Sequence, residues 1–168
     1  MLKPQDLLVL LKLTVQRGQP WTYPSLAASV GVSVSETHAS VKRAAAAGLF
    51  SNATGQPVNR RLLEFVVHGV PYVYHVDRGV PTTRGIFTGF AAPPLDGPAE
   101  YAYEALYVWP HPEGVDAGWS VSPLYHSAPV ASLRDPALYA LLALVDELRL
   151  GRARERNRAA DLLASRLA

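Results

Sequence analysis

One stretch, Thr22–Leu49, constrains the fold of this chain more than any other. Thr22 is a favourable N-cap residue, and a proline follows it in the first turn, where a missing backbone N–H costs little. Gly31 permits the positive φ that often ends a helix, and Ser33 is suited to cap the next helix. Gly48 marks the end of that second helix. The stretch therefore predicts the helix-turn-helix pattern.

The second predicted helix has an inward and an outward side. The inward side is expected to consist of Val34, Val41, Ala44, Ala45 and Leu49. The outward side is expected to consist of Ser35, Glu36, His38, Ala39, Lys42 and Arg43. Ser33 and Glu36 also have the spacing of a capping box, in which each side chain bonds the backbone N–H of the other residue.

Two runs in this stretch resemble a known family. They are LAASVGVS at residues 26–33 and VKRAAAAGLF at residues 41–50. Both resemble the pattern of winged helix-turn-helix transcription regulators, in the broad MarR-like and GntR-like sense. The family usually has Val or Ile where this chain has Thr37, and a Leu/Glu mixture where it has Ala44–Ala47. The resemblance implies a winged-helix-like N-terminal part that binds double-stranded DNA and regulates transcription.

Such proteins contact base edges with the first turns of the second helix. Ser35 and His38 are expected to hydrogen-bond bases. Glu36 either accepts a bond from a cytosine amino group or only closes the capping box. No Arg or Asn stands in the first turn, so a bidentate base contact is missing and affinity per subunit should be low. We therefore expect a homodimer on a palindromic site, with two recognition helices about 34 Å apart.

Phosphate contacts complete the predicted DNA-binding surface. Lys42 and Arg43 suit phosphates better than bases, and the hydroxyls of Thr22 and Ser33, or the helix ends they cap, are further candidates. The alternative is that these charges form only a solvated face. The full predicted set is Thr22, Ser33, Ser35, Glu36, His38, Ala39, Lys42, Arg43, Arg60 and Arg61.

The segments on either side of this stretch are also predicted to be helical. Pro4–Arg17 is apolar nearly all round, so it is buried either within the subunit or against a second subunit. After Leu49 we expect a reduced or absent wing, followed by a helix over 59–68 that ends at Gly69. The alternative is a conventional wing hairpin with Arg60 and Arg61 on its tip.

The rest of the chain predicts an α+β fold with a C-terminal part made of a short β-hairpin and two helices. The expected elements are a strand at 70–76, a Gly/Pro-rich connection at 77–98, a hairpin of 104–109 and 118–121, an extended 123–129, and helices at 135–150 and 152–167. The predicted units are therefore 1–76, 77–98 and 99–168. Arg84, in the connection, is expected either to bind a phosphate or partner carboxylate or to lie on a surface loop.

Charge is unevenly distributed along the chain. Residues 1–90 contain nine Lys and Arg against four acidic residues, whereas residues 91–168 contain seven Arg against ten acidic residues. A basic first part suits a polyanion, and a more acidic second part suits a protein partner or a dimer contact. This asymmetry keeps open an antitoxin-type reading, in which the second part covers a toxin and the first part autoregulates the operon.

Several chemistries have no support in the sequence. The chain has no cysteine, and its N-terminus does not resemble a signal peptide, so a cytoplasmic protein without disulfides is expected. The five histidines lack metal-ligand spacing, and neither a nucleophile motif nor a phosphate loop occurs, so we expect no enzyme, metal or cofactor. The acidic pair Asp146 and Glu147 is predicted to lie on a helix surface. The central aromatics are expected either to form a core or to line an effector pocket.

Overall fold

The structure is a computed structural model that describes residues 1–95 and 106–168, and it is of mixed α+β type. Its α-helices in the described ranges are α1 (Pro4–Val15), α2 (Tyr23–Val30), α3 (Val34–Ala46), α4 (Asn59–His68), α5 (Val70–Val73), α6 (Ala128–Arg134), α7 (Pro136–Leu150) and α8 (Ala153–Leu167). The strands are β1 (Phe50–Ser51), β2 (Gln56–Pro57), β3 (Thr83–Thr88), β4 (Tyr107–Pro110) and β5 (Asp116–Ser120). The predicted α+β class is confirmed.

Helices α2 and α3 form where their caps predict them, and α1 ends at Val15, two residues before its predicted end at Arg17. The Thr22 hydroxyl accepts a hydrogen bond from the Ser25 backbone N–H at the start of α2, and Gly31 ends that helix with φ +66°. The Ser33 hydroxyl accepts one from the Glu36 N–H and opens α3. Helix α1 buries its leucines within the subunit. Of the two alternatives for its apolar surface, burial within the subunit is therefore the one that the structure shows.

A small hairpin and a helix follow α3. Strands β1 and β2 are antiparallel with only two residues each, and α4 begins at Asn59 directly afterwards. The predicted helix ending at Gly69 is confirmed. The alternative with Arg60 and Arg61 on a hairpin tip is wrong, because both residues belong to the first turn of α4.

The strand predicted at 70–76 is wrong. The chain instead makes a further helical turn, α5, because Gly69 stays in the right-handed helical region and leads α4 into it. Pro71 does not prevent this turn, since the first positions of a helix need no backbone N–H. The alternating β-branched and aromatic pattern is overridden by the packing of Val70, which is fully buried.

The predicted connection at 77–98 contains strand β3 and two 3-10 turns, Gly89–Ala91 and Pro93–Leu95, and its residues 96–98 lie outside the described residues. Strand β3 pairs antiparallel with both β4 and β5, which pair parallel with each other and close a three-stranded barrel. The predicted hairpin is therefore wrong in topology, and residues 104 and 105 of it are not described. Gly85 permits this closure, because a Cβ there would stand 2.1 Å from the Trp109 carbonyl oxygen.

Three helices, not two, follow the barrel. The segment expected to be extended, 123–129, overlaps α6 at Ala128 and Pro129, which begin that helix. Asp135 then caps α7 by accepting bonds from the N–H groups of Ala137 and Leu138, as its position before a proline predicts. Helix α8 buries Ala159, Leu163 and Leu167 against its neighbours.

Helix α7 contacts elements from both the N-terminal and the C-terminal parts of the chain. It packs against α1, α5, α6, α8 and β3, and one continuous cluster of buried side chains runs from α1 through α7 to α8. Helices α1–α3 and the barrel therefore share one core. Although α1 and α7 are rich in leucine, no helix in the described ranges has both the length and the apolarity to cross a membrane.

Candidate nucleic-acid interface

Helix α3 has one face on the core and one face towards solvent. Thr37, Ser40, Val41 and Ala44 are buried, and α1 and α2 pack on that side. Ser33, Val34, Ser35, His38 and Lys42 are exposed, and Ala39 is partly exposed. Val34 was expected to point inward but is 48% exposed. Val34 is the first residue of α3, and its side chain points towards the N-terminus of the helix, beyond the part that packs on α1 and α2.

Arg43 does not belong to the exposed face, and this corrects its predicted role as a phosphate contact. Its Nε and Nη2 atoms donate to Asp6 Oδ2 and Oδ1 at 2.8 and 2.7 Å, a bidentate pair between α3 and the first turn of α1. The Asp6 side chain is 1% exposed and also accepts from the Lys3 backbone N–H. A buried carboxylate needs such a partner, so the Arg43 guanidinium is held inward.

Glu36 is held by the same cluster. Its Oε1 atom accepts from Arg43 Nη2 at 2.5 Å and from Gln5 Nε2 at 3.0 Å, and these two bonds lower the pKa of Glu36. The capping box is therefore only half formed, because the carboxylate bonds α1 and Arg43 and not the Ser33 N–H. Glu36 is likewise not oriented to read a cytosine amino group.

The capping hydroxyls remain on the surface. Ser33 Oγ lies 3.2 Å from Ser35 Oγ, and Thr22 exchanges bonds with Ser25 in both directions. All four residues are exposed. The predicted contacts at Thr22, Ser33 and Ser35 are thus on accessible helix ends, next to the exposed His38 and Lys42.

A cleft of about 410 Å³ opens on the outer side of α3. It lies between the first residue of α2, the middle and end of α3, and the β1–β2 turn. It is lined by Tyr23, His38, Val41, Lys42, Ala45, Ala46 and Asn52. The Tyr23 and His38 rings are 4.9 Å apart between centroids. The sequence did not single out Tyr23 or Asn52, since only the meeting of hairpin and helices brings them to this face.

The other predicted arginines lie apart from the exposed face of α3. Arg61 Nη1 donates to the Gly48 carbonyl at 3.2 Å, beside the end of α3, and Arg60 is 91% exposed with Glu64 at 3.6 Å. Arg84 belongs to β3 and donates through Nε to the Gly114 carbonyl of the β4–β5 loop. Its guanidinium is thus engaged within the barrel.

A second polar cluster is buried where the sequence predicted a helix surface. Asp146 and Glu147 are 1% and 5% exposed. Asp146 accepts from Thr88 Oγ1 at 2.8 Å, Trp109 Nε1 at 2.7 Å and Arg149 Nη1 at 2.6 Å, and so connects β3 and β4 to α7. The prediction failed because the barrel, itself not predicted, covers this side of α7.

Glu147 has few hydrogen-bond partners among the residues that the structure describes. It accepts one long bond from the Phe90 backbone N–H at 3.4 Å, and burial raises its pKa to about 7. No group of three or more His, Asp or Glu residues that could hold a metal occurs in the residues with described positions.

Comparison of the chain with protein-family models, with curated proteins and with solved structures finds no match.

Proposed function

We propose that this chain binds double-stranded DNA through the exposed face of α3 and acts as a transcriptional regulator of the winged helix-turn-helix kind. The observation that carries the proposal is the exposed row Ser33, Ser35, His38 and Lys42, on a helix whose opposite side rests on α1 and α2. Helix α3 is about 20 Å long, and the major groove is about 12 Å wide. A helix exposed on one side in this way enters the groove while its opposite side stays packed on α1 and α2.

The polar set on this face is small. Lys42 is the one lysine or arginine that α3, described along its whole length, turns outward, because Arg43 is bound to Asp6. Base reading falls to Ser35 and His38, which supply single hydrogen bonds and not the bidentate pairs that discriminate strongly. We therefore infer weak binding per subunit and a homodimeric repressor on a palindromic site. A cytoplasmic location follows from a DNA partner.

Fluorescence anisotropy with a duplex from the region upstream of its own gene tests the proposal. Wild type should bind with an affinity that falls steeply with salt, as phosphate contacts require. Lys42→Ala should lower the slope of log affinity against log salt by about one per subunit. The matched control is Arg134→Ala, which removes an exposed cation at the end of α6. If Lys42→Ala and wild type bind alike, the face is wrongly assigned.

A second candidate is the antitoxin-type function, in which another surface binds a protein partner. Large apolar side chains are exposed away from α3, among them Tyr72 at 76%, Val73 at 60% and Leu133 at 59%. Adjacent exposed apolar residues commonly mark protein contacts, and Tyr72 and Val73 are neighbours on α5. Co-expression with the neighbouring gene product, followed by mass measurement of the purified complex, tests this candidate. Recovery of the chain alone would remove it.

A further inference from the structure

Apolar and polar residues both line the cleft beside α3. Val41, Ala45 and Ala46 are apolar and come from two successive turns of α3, whereas His38, Lys42 and Asn52 supply polar groups. Among the residues that line it, no carboxylate occurs. An open cleft lined by apolar residues and a lysine, with no carboxylate among its lining residues, suits one unit of a polyanion.

We propose that this cleft holds one sugar–phosphate unit of the DNA strand that crosses α3. The inference rests on the proposed function and identifies where the backbone is held. The faces of deoxyribose are largely apolar and fit against the two alanines, while the phosphate oxygens accept hydrogen bonds from Lys42 Nζ and the Asn52 side-chain amide. Contacts of this kind fix the position of a protein on the duplex without reading sequence.

The wall opposite α3 is held in place by Trp21. Its Nε1 donates to the Gly55 carbonyl in the β1–β2 turn at 3.1 Å, and its ring meets Tyr23 and Phe50 edge-on, with centroids 5.3 and 6.3 Å away. This side chain joins the start of α2 to the hairpin that carries Asn52. The width of the cleft is therefore set before DNA arrives, which reduces the entropy lost on binding.

Filling the cleft tests the inference. Ala46→Trp adds bulk at an exposed residue of α3 that lines the cleft, and it changes no charge. It should weaken binding to the same duplex by at least about tenfold, as expected for the loss of a backbone contact. Ala164→Trp, at an exposed position of α8, is the matched control and should bind as wild type does. Equal affinity of Ala46→Trp and wild type would overturn the inference.

A second measurement decides the matter if Ala46→Trp misfolds. Each phosphate of the duplex is replaced in turn by a neutral methylphosphonate, and binding is compared for wild type and Asn52→Ala. One replacement should weaken wild type several-fold and weaken Asn52→Ala by less, because that variant has only the Lys42 contact left to lose at this phosphate; such non-additivity is the signature of a shared contact. Additive effects at every phosphate would overturn the inference while leaving DNA binding intact. Failure of wild type to bind any duplex would instead refute the proposed function.

Discussion

Arg43 is predicted to stabilise the fold and not to contact DNA, and Arg43→Met separates these roles. The substitution keeps most of the apolar stem but leaves the Asp6 carboxylate, 1% exposed, with the Lys3 N–H as its remaining bond among those described. Breaking a buried ion pair on one side costs about 3–5 kcal/mol. That is a large part of the roughly 5–15 kcal/mol by which domains are stable, so Tm should fall by about 10 °C.

The assay is urea unfolding followed by circular dichroism, with Lys42→Met as the control one residue away. Lys42 is exposed on the same helix, so its loss should change stability by no more than about 0.5 kcal/mol. The folded fraction of Arg43→Met should keep the salt dependence of DNA binding, while Lys42→Met should lose part of it. If Arg43→Met is as stable as wild type, the reasoning about the Asp6 pair is refuted.

Three further predictions concern buried polar groups. The pKa of Glu147 is about 7 in the folded chain, against 4.5 ordinarily, so folding favours the protonated carboxyl group. The contribution of this protonation to stability is fully present below about pH 4.5 and is lost as the pH rises through 7. Glu147→Gln should therefore gain up to about 3 kcal/mol on wild type between about pH 5 and 8; parallel pH–stability curves would contradict this. Asp146→Ala removes the carboxylate that pairs with the buried Arg149 guanidinium, which keeps its bonds to the Tyr74 and Ser122 carbonyls, and should cost about 3–5 kcal/mol in urea unfolding. Asp161→Ala, at an exposed position of α8, should cost little; equal costs would argue against the buried network. Trp21→Phe loses the bond to the hairpin and should cost about 1 kcal/mol of stability and also weaken DNA binding, and unchanged affinity would show that the hairpin does not take part.

Local signals in the sequence were enough to predict the helices that begin at Thr22, Ser33 and Asp135. Each has a capping side chain next to the N–H groups it satisfies, and the structure contains these bonds. The exposure of His38 and Lys42 also follows from helical periodicity alone. Structural features that depend on neighbours within a few residues were therefore predictable from the sequence.

Features that depend on distant partners were not predictable. Arg43 turns inward because Asp6, 37 residues away, is buried beside it, and no local pattern reports that pairing. The barrel was missed because β3 lies among Gly, Pro and Thr residues, and its strand partners come from after residue 105. Asp146 was misjudged for the same reason, since Thr88 and Trp109 of the barrel lie against it.

The most direct test of the account is to follow backbone amide NMR signals while duplex DNA is added to the protein. If the exposed face of α3 binds DNA, the largest shift changes occur at Ser33, Ser35, His38 and Lys42, smaller ones occur at Asn52, and the signals of strands β3–β5 stay unchanged. Shift changes confined to the barrel or to α8, or none at any salt concentration, would contradict the claim that the exposed face of α3 binds DNA.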